Sequence, residues 1–212
     1  MDVKTKFPLT RLELAGIDGQ APVRFPATFD EYWELLSEAE YRADFYQNEI
    51  IAMSYATDLH SDLVGEMAFL LKKIFPKSDR RFKVHNSNRP VYVGDCDGHA
   101  VFNPDGSVVA QPPVYFEYQP GMNAETTPVV GFEVLSKNTC SYDFGTKLPC
   151  YKKIPSLQHI IFLALDKPSV ILYTRQGPNS WSDTEYTQQE DLFYIQNHAI
   201  ALKDIYLNVF FS

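Results

Sequence analysis

One carboxylate stands in an otherwise apolar run, Val129-Val130-Gly131-Phe132-Glu133-Val134-Leu135-Ser136. A charge buried in a β-type segment costs several kcal/mol unless a metal or an opposite charge accompanies it. Alternation along a strand puts Glu133 on one face with Val129, Gly131 and Leu135, and turns Val130, Phe132 and Val134 the other way. Two explanations follow. Glu133 serves chemistry, or it lies at a strand end and simply reaches water. Downstream the chain reads Tyr142-Asp143-Phe144-Gly145-Thr146-Lys147, then Tyr151. A lysine near a metal-bound phosphate can offset developing charge or orient the attacking water. In isolation Lys147 reads as a solvated lysine on a helix surface. Glu49, which follows a tight turn and precedes Ile50-Ile51, is either a third acid aimed at the same cleft or an ordinary hairpin-edge glutamate. His60 shares a helical face with Val64, Met67 and Leu71 and reads as a satisfied core residue. Asp95-Cys96-Asp97-Gly98-His99 gathers metal-ligand types, but no glutamate falls where an EF-hand loop needs one, and Asp97-Gly98 reads as a turn.

Composition removes several function classes. With 212 residues and 45% hydrophobic content the chain suits one domain of moderate size. Glycine is sparse, and no phosphate-cradling G-x-x-x-x-G-K-[ST] or G-x-G-x-x-G string is present. No G-x-S-x-G elbow is visible. The net charge of -8 argues against retention on nucleic acid by charge alone, though not against a nuclease whose acids are screened by bound cations. Cys96, Cys140 and Cys150 form no C-x-x-C pair. Three widely spaced cysteines predict neither a disulfide framework nor a structural zinc site, and fit a reducing cytoplasm. No stretch approaches the roughly 20 apolar residues of a membrane span, so no membrane partner is expected.

The elements that must position these residues follow from pattern. Residues 1–24 read as an irregular N-terminal arm punctuated by Pro8, Gly16, Gly19 and Pro22, and 25–212 as a single domain. Thr28-Phe29-Asp30-Glu31 is a capping box that opens a helix running through Leu36. A hairpin turns at Gln47-Asn48. Leu59, Leu63, Met67, Leu70, Leu71 and Ile74 recur at helical spacing, predicting a helix from about Thr57 to Phe75. Arg81 to Val93 is mostly strand. Asn103-Pro104-Asp105-Gly106 signals a turn between two strands. Strands over Val114–Tyr118 and Val129–Leu135 come next, then a weaker helical pattern over 138–153. Two continuous apolar strands, His159–Leu165 and Ser169–Tyr173, suit a sheet buried on both faces. A short helix over Leu202–Tyr206 closes the chain. One α/β domain accounts for this order.

That order resembles the Uma-two family of restriction-endonuclease-like proteins, enriched in cyanobacteria, of the PD-(D/E)XK nuclease superfamily. The resemblance runs from about Phe25 to Phe211. It rests most specifically on Phe132-Glu133-Val134-Leu135-Ser136, on Tyr142-Asp143-x-Gly145-x-Lys147-x-x-x-Tyr151, and on Ile154-Pro155-Ser156-Leu157-Gln158. Thr28 to Tyr32 resembles the family's opening helix, Glu49 to Met53 its hairpin, and His60-Ser61 the place where the family often has a histidine. The resemblance implies an α+β, restriction-endonuclease-like mixed sheet flanked by helices. It also implies Mg²⁺-dependent hydrolysis of DNA, and a homodimer by analogy. Glu133 would be a metal ligand and catalytic, Lys147 the catalytic positive charge returned from the following helix, and Glu49 an additional acid of the cleft. Two departures stand out. The Pro-Asp pair that should supply the first metal acid aligns with Pro112-Pro113, and Pro149 interrupts the helix after Lys147, which would leave that lysine on a loop. Asp105 or Asp97 could replace the missing acid, although both sit in expected turns. A catalytically inactive nuclease fold that binds DNA or a protein partner is therefore the alternative. A small-ligand hydrolase finds no nucleophile to support it.

Overall fold

The computed structural model describes residues 3–17, 22–53, 57–87, 89–207, 209 and 211. In chain order the elements are α1 (Val3–Lys6), α2 (Arg11–Ala15), β1 (Val23–Pro26), α3 (Phe29–Glu38), β2 (Ala43–Tyr46), β3 (Glu49–Ala52) and α4 (Asp58–Ile74). Then come β4 (Phe82–Asn86), β5 (Val91–Val93), β6 (Ala100–Phe102), β7 (Gly106–Ala110), β8 (Tyr115–Gln119), β9 (Met122–Glu125) and β10 (Pro128–Leu135). A continuous helical segment follows, made of α5 (Cys140–Tyr142), a π turn (Asp143–Lys147) and α6 (Leu148–Tyr151). The chain ends with β11 (His159–Ala164), β12 (Val170–Gly177), β13 (Ser180–Tyr186), the hairpin β14 (Leu192–Ile195) and β15 (His198–Ala201), and α7 (Leu202–Ile205).

The strand bearing Glu133 lies inside a six-stranded sheet of order β13-β12-β11-β10-β7-β4. Its β10–β11 pair is parallel and the others are antiparallel. Alternation decides which residues of β10 face which layer. Val130, Phe132 and Val134 pack with Leu63, Met67 and Leu71 of α4 and with Ile161 and Leu163 of β11. The opposite face, which carries Glu133, looks toward a second layer where Tyr142, Tyr151 and Leu157 pack on Ile160 and Phe162. A seven-stranded sheet of order β1-β3-β2-β6-β5-β9-β8 forms the other half, with Tyr32, Trp33 and Leu35 of α3 in its core.

Local chemistry explains the element ends. Thr28 accepts from the Glu31 amide and Glu31 reaches back to the Thr28 amide, the expected capping box. Gln47 and Asn48 both take positive φ, 49° and 59°, as a two-residue hairpin turn demands. The Thr57 hydroxyl caps α4 and Phe75 ends it.

The structure departs from the sequence in three places. Residues 3–17 and 23–26 are not irregular: α1, α2 and β1 order them, and Val3, Phe7 and Leu14 are buried. The signal was present, because Thr10 and Glu13 form a second capping box; Gly19 lies outside the described residues. Asn103 to Gly106 does not turn a hairpin, since β6 and β7 belong to different sheets. Finally, Cys96 and Cys150 are joined by a disulfide, contrary to the expectation of unpaired thiols; 54 residues of sequence separation hid the pair. A closed loop of that length restricts the unfolded chain by about 4 kcal/mol on chain-entropy grounds. Cys150→Ser is accordingly expected to lower the free energy of unfolding by 2–4 kcal/mol, measured by urea denaturation without reductant. Equal midpoints for the two proteins would refute that expectation.

Candidate active site

Glu133 and Lys147 meet, as their order implied. Lys147 Nζ lies 3.1 Å from Glu133 Oε1, and the Tyr151 hydroxyl donates to the same oxygen at 2.7 Å. The helical segment delivers both donors. Pro149 was expected to delay the helix and leave Lys147 on a loop, but helical structure already begins at Cys140. The π turn resolves the conflict. The Leu148 amide donates to the Asp143 carbonyl five residues back, so the wide turn carries the helix on into α6 with Pro149 in the first turn of that α-helical stretch. Proline is tolerated in that first turn, where its missing amide costs least.

A second carboxylate stands beside Glu133. The three-residue stretch between β6 and β7 contains its own Pro-Asp pair, Pro104-Asp105, and the structure sets Asp105 beside Glu133. Asp105 accepts from the Val134 amide at 2.9 Å, and its own amide reaches Glu133 Oε2 at 3.4 Å. Pro112-Pro113, aligned above with the family's Pro-Asp pair, follow β7, whereas Asp105 precedes it and is the acid that reaches Glu133. Gly106 makes the approach possible. A Cβ there would lie 2.2 Å from the Phe132 ring, so only glycine lets β7 close onto β10 at this point. His60, expected in the core, instead lies at the mouth with Nε2 3.1 Å from Asp105 Oδ2.

Two further acids complete the cluster. Asp143 Oδ1 is 3.2 Å and Asp44 Oδ2 3.6 Å from Lys147 Nζ. Asp44 is held by the Asn103 amide at 2.7 Å and the Tyr142 hydroxyl at 3.0 Å. Asp44 had no signal in the sequence beyond lying in a short apolar strand. Glu49 is not part of the cleft wall. It pairs with Arg24 at 2.8 Å, and Arg24 in turn lies over the Tyr142 ring. Asp97 likewise stays apart, bonded to the Tyr46 hydroxyl in the turn expected for Asp97-Gly98.

Charge balance sets the electrostatics. Asp44, Asp105, Glu133 and Asp143 are all at least 94% buried, and Lys147 is the buried cation among them. Burial pushes the Glu133 carboxyl up to about 8, with Lys147 pulling against it and Asp143 and Asp105 adding to it. Burial also raises Asp143. At Asp105 burial acts upward too, but the His60 hydrogen bond and charge, Lys147 and the Val134 amide outweigh it, and the net shift is downward. Lys147 is held well above its ordinary value, because the surrounding carboxylates together exceed the desolvation penalty. The asymmetry between Glu133 and Lys147 has a plain cause: four acids share one ammonium, so the lysine is over-supplied with partners and Glu133 is under-supplied.

The cleft is a hollow of about 180 Å³ bordered by Arg42, His60, Asn103, Asn138, Asp105, Glu133 and Asp143. Each central carboxylate has one anchored oxygen and one weakly engaged oxygen. Among the described residues, Glu133 Oε2 meets only the 3.4 Å amide, and Asp105 Oδ1 only Arg42 at 3.8 Å. Arg42 Nη1 is buried and has no hydrogen-bond partner among the described residues. Among the described residues no group of three His, Cys, Asp or Glu converges as a preformed metal centre would. Two hard carboxylates with free oxygens nevertheless suit Mg²⁺, which is commonly held by one or two carboxylates together with substrate phosphate and water.

The family model described as Uma2, "Putative restriction endonuclease", matches residues 29–200. The chain belongs to the Uma2 family. An uncharacterized protein from Synechocystis sp. (strain ATCC 27184 / PCC 6803 / Kazusa), sll1609, is 28% identical to this Uma2 chain over 160 residues, 74% of this chain and 86% of that protein. A solved structure from Anabaena variabilis ATCC 29413, titled as a putative nuclease belonging to DUF820, superimposes with a TM-score of 0.61 at 16% identity over 94% of this chain and 98% of that one. At that identity the likeness concerns the fold, and it bears out the restriction-endonuclease-like α+β expectation for this Uma2 protein.

Proposed function

We propose that this Uma2 protein is an endonuclease that hydrolyses DNA phosphodiesters, with Mg²⁺ held by Asp105 and Glu133. The observation that carries the proposal is the meeting of Asp105, Glu133 and Lys147 in one buried cleft. Bound Mg²⁺ supplies Lewis acidity toward a phosphoryl oxygen and an acidified water. The side chains do the rest. Val134 and His60 anchor Asp105 Oδ2, and Lys147 and Tyr151 anchor Glu133 Oε1, which leaves the other oxygen of each acid for the cation. Arg42 offers the substrate phosphate its Nη1, which has no hydrogen-bond partner among the described residues; phosphate is a group that guanidinium recognises well. Lys147 offsets charge developing on the phosphoryl oxygens, held in place by Glu133, Asp143 and Asp44. Glu49 reaches the network only through Arg24 and Tyr142 and positions it from outside.

The binding-only alternative drew on Pro113 and Pro149, and neither is an obstacle in this geometry. We place the protein in the cytoplasm with its DNA, where a disulfide whose sulfurs belong to residues 2% and 1% exposed exchanges slowly with thiols for lack of access. No helix of the described residues is long and apolar enough to cross a membrane. A homodimer would bring two such clefts to the two strands of a duplex. Incubation of the purified chain with plasmid and Mg²⁺ or Mn²⁺ tests the proposal. Nicking by the wild type and none by Glu133→Ala is the expected result; identical behaviour of the two across metals and DNA types would overturn it.

A further inference from the structure

A second hollow opens directly from the acid cleft. Its volume is about 550 Å³, and Ser136, Asn138 and Leu165 line both spaces. The walls of the second are Leu135, Phe144, Phe162 and Ile171, with Phe144 half-buried at its surface and set 4.6 Å from Phe162 between ring centres. Lys137 and Asp166 stand exposed on the rim. Lys137 has no ion pair or hydrogen bond among the described residues. The hollow is of small-molecule size. Its two ends differ in chemistry. One is the charged cleft built for a phosphate. The other is an apolar slot with an aromatic wall and a few polar groups at the lip.

We infer that this slot seats one unpaired nucleobase adjacent to the phosphate held in the acid cleft, so that the substrate is DNA presenting a single-stranded or extruded nucleotide. The inference rests on the nuclease proposal above and narrows its substrate. A nucleotide has the same two-part chemistry as the joined hollows: a charged phosphate and, one sugar away, a flat apolar face edged with hydrogen-bonding groups. A base can enter such a slot only after it leaves its duplex stack. Stacking on an aromatic side chain then recovers part of that loss without regard to sequence. Ser136 and Asn138, at the junction of the two hollows, lie where base-edge or sugar groups would pass, and Lys137 offers a cation for the next phosphate.

The test compares a single strand, the same sequence as a duplex, and single strands carrying one abasic nucleotide at each position around the cut, all with the full chain and Mg²⁺. The wild type should cut the single strand at least about tenfold faster than the duplex, and one abasic position beside the cut should remove about tenfold. Phe144→Leu should slow cleavage of the intact strand by a similar factor while leaving that abasic strand unaffected, which also shows that the variant is folded. If Phe144→Leu does not fold, the wild-type abasic scan decides alone. Duplex cut as fast as single strand, with no sensitive abasic position, overturns the base site and leaves the nuclease proposal standing. Failure to cut or hold any DNA overturns both.

Discussion

Asp105→Asn is expected to lower the rate of DNA cleavage by about 10³-fold and to leave the chain folded. The amide keeps an oxygen for the Val134 N–H, which holds the native carboxylate at 2.9 Å, and it keeps the volume of the side chain. What it removes is the charge facing Arg42 and the cation. The companion variant is Pro113→Asp in the same background, which should restore nothing. Pro113 and Asp105 lie beyond opposite ends of β7, a strand whose five residues span roughly 17 Å. Initial rates at saturating Mg²⁺ and Mn²⁺, with circular dichroism to confirm the fold, check both outcomes. Normal cleavage by Asp105→Asn would remove Asp105 from the site, and rescue by Pro113→Asp would reinstate the alignment through Pro112-Pro113.

The second large effect concerns stability. Lys147→Met should destabilise the metal-free chain by about 3–5 kcal/mol, the usual result of removing one partner from a buried ionic cluster. Methionine fills much of the space, so the loss reports charge: Glu133, Asp143 and Asp44 would face one another without the ammonium now 3.1–3.6 Å away. The loss should grow with pH. Glu133 ordinarily releases its proton near 4.5 and in the folded chain holds it to about 8. Between those values the folded state binds a proton that the unfolded state has given up, so this group's contribution to stability falls as pH rises across that window. His85, lowered to about 4 by burial, works in the opposite sense between 4 and 6.5, which leaves 6.5 to 8 as the interval where Glu133 shows. In EDTA, wild-type stability should decline there by up to about 1.4 kcal/mol per pH unit, and Glu133→Gln should flatten the slope. Urea unfolding at pH 6.5 and 8 measures this; parallel curves for wild type and Glu133→Gln would contradict it.

The sequence exposed elements with strong local signatures and concealed whatever depended on distant pairing. Capping boxes, the Gln47-Asn48 turn, the apolar stripe of α4 and the paired apolar strands β11 and β12 were all readable, because each is decided by neighbours along the chain. The union of Glu133, Lys147 and Tyr151 was readable too, since one motif carries all three. Asp105 was the instructive failure. Asn-Pro-Asp-Gly is a strong turn signal, and it diverted attention from the Pro-Asp pair inside it, whose acid is buried by a strand 28 residues away. His60 was marked by the family resemblance while its helical spacing read as core, and Asp44 and Arg42 enter the site from the other sheet, so nothing near them in sequence marks them. The Cys96–Cys150 bond was hidden for the same reason.

The π turn also has a consequence for how this site tolerates change. An α-helix advances each side chain by about 100°, and one extra residue in the turn between Asp143 and Lys147 shifts the angular address of everything after it. Tyr151, which reaches Glu133, and Cys150, which reaches Cys96, therefore depend on a count of residues as well as on their identities. A substitution at the exposed Gly145 alters one side chain, whereas its deletion would re-aim the whole of α6. The segment is open to drift in spelling and closed to drift in length.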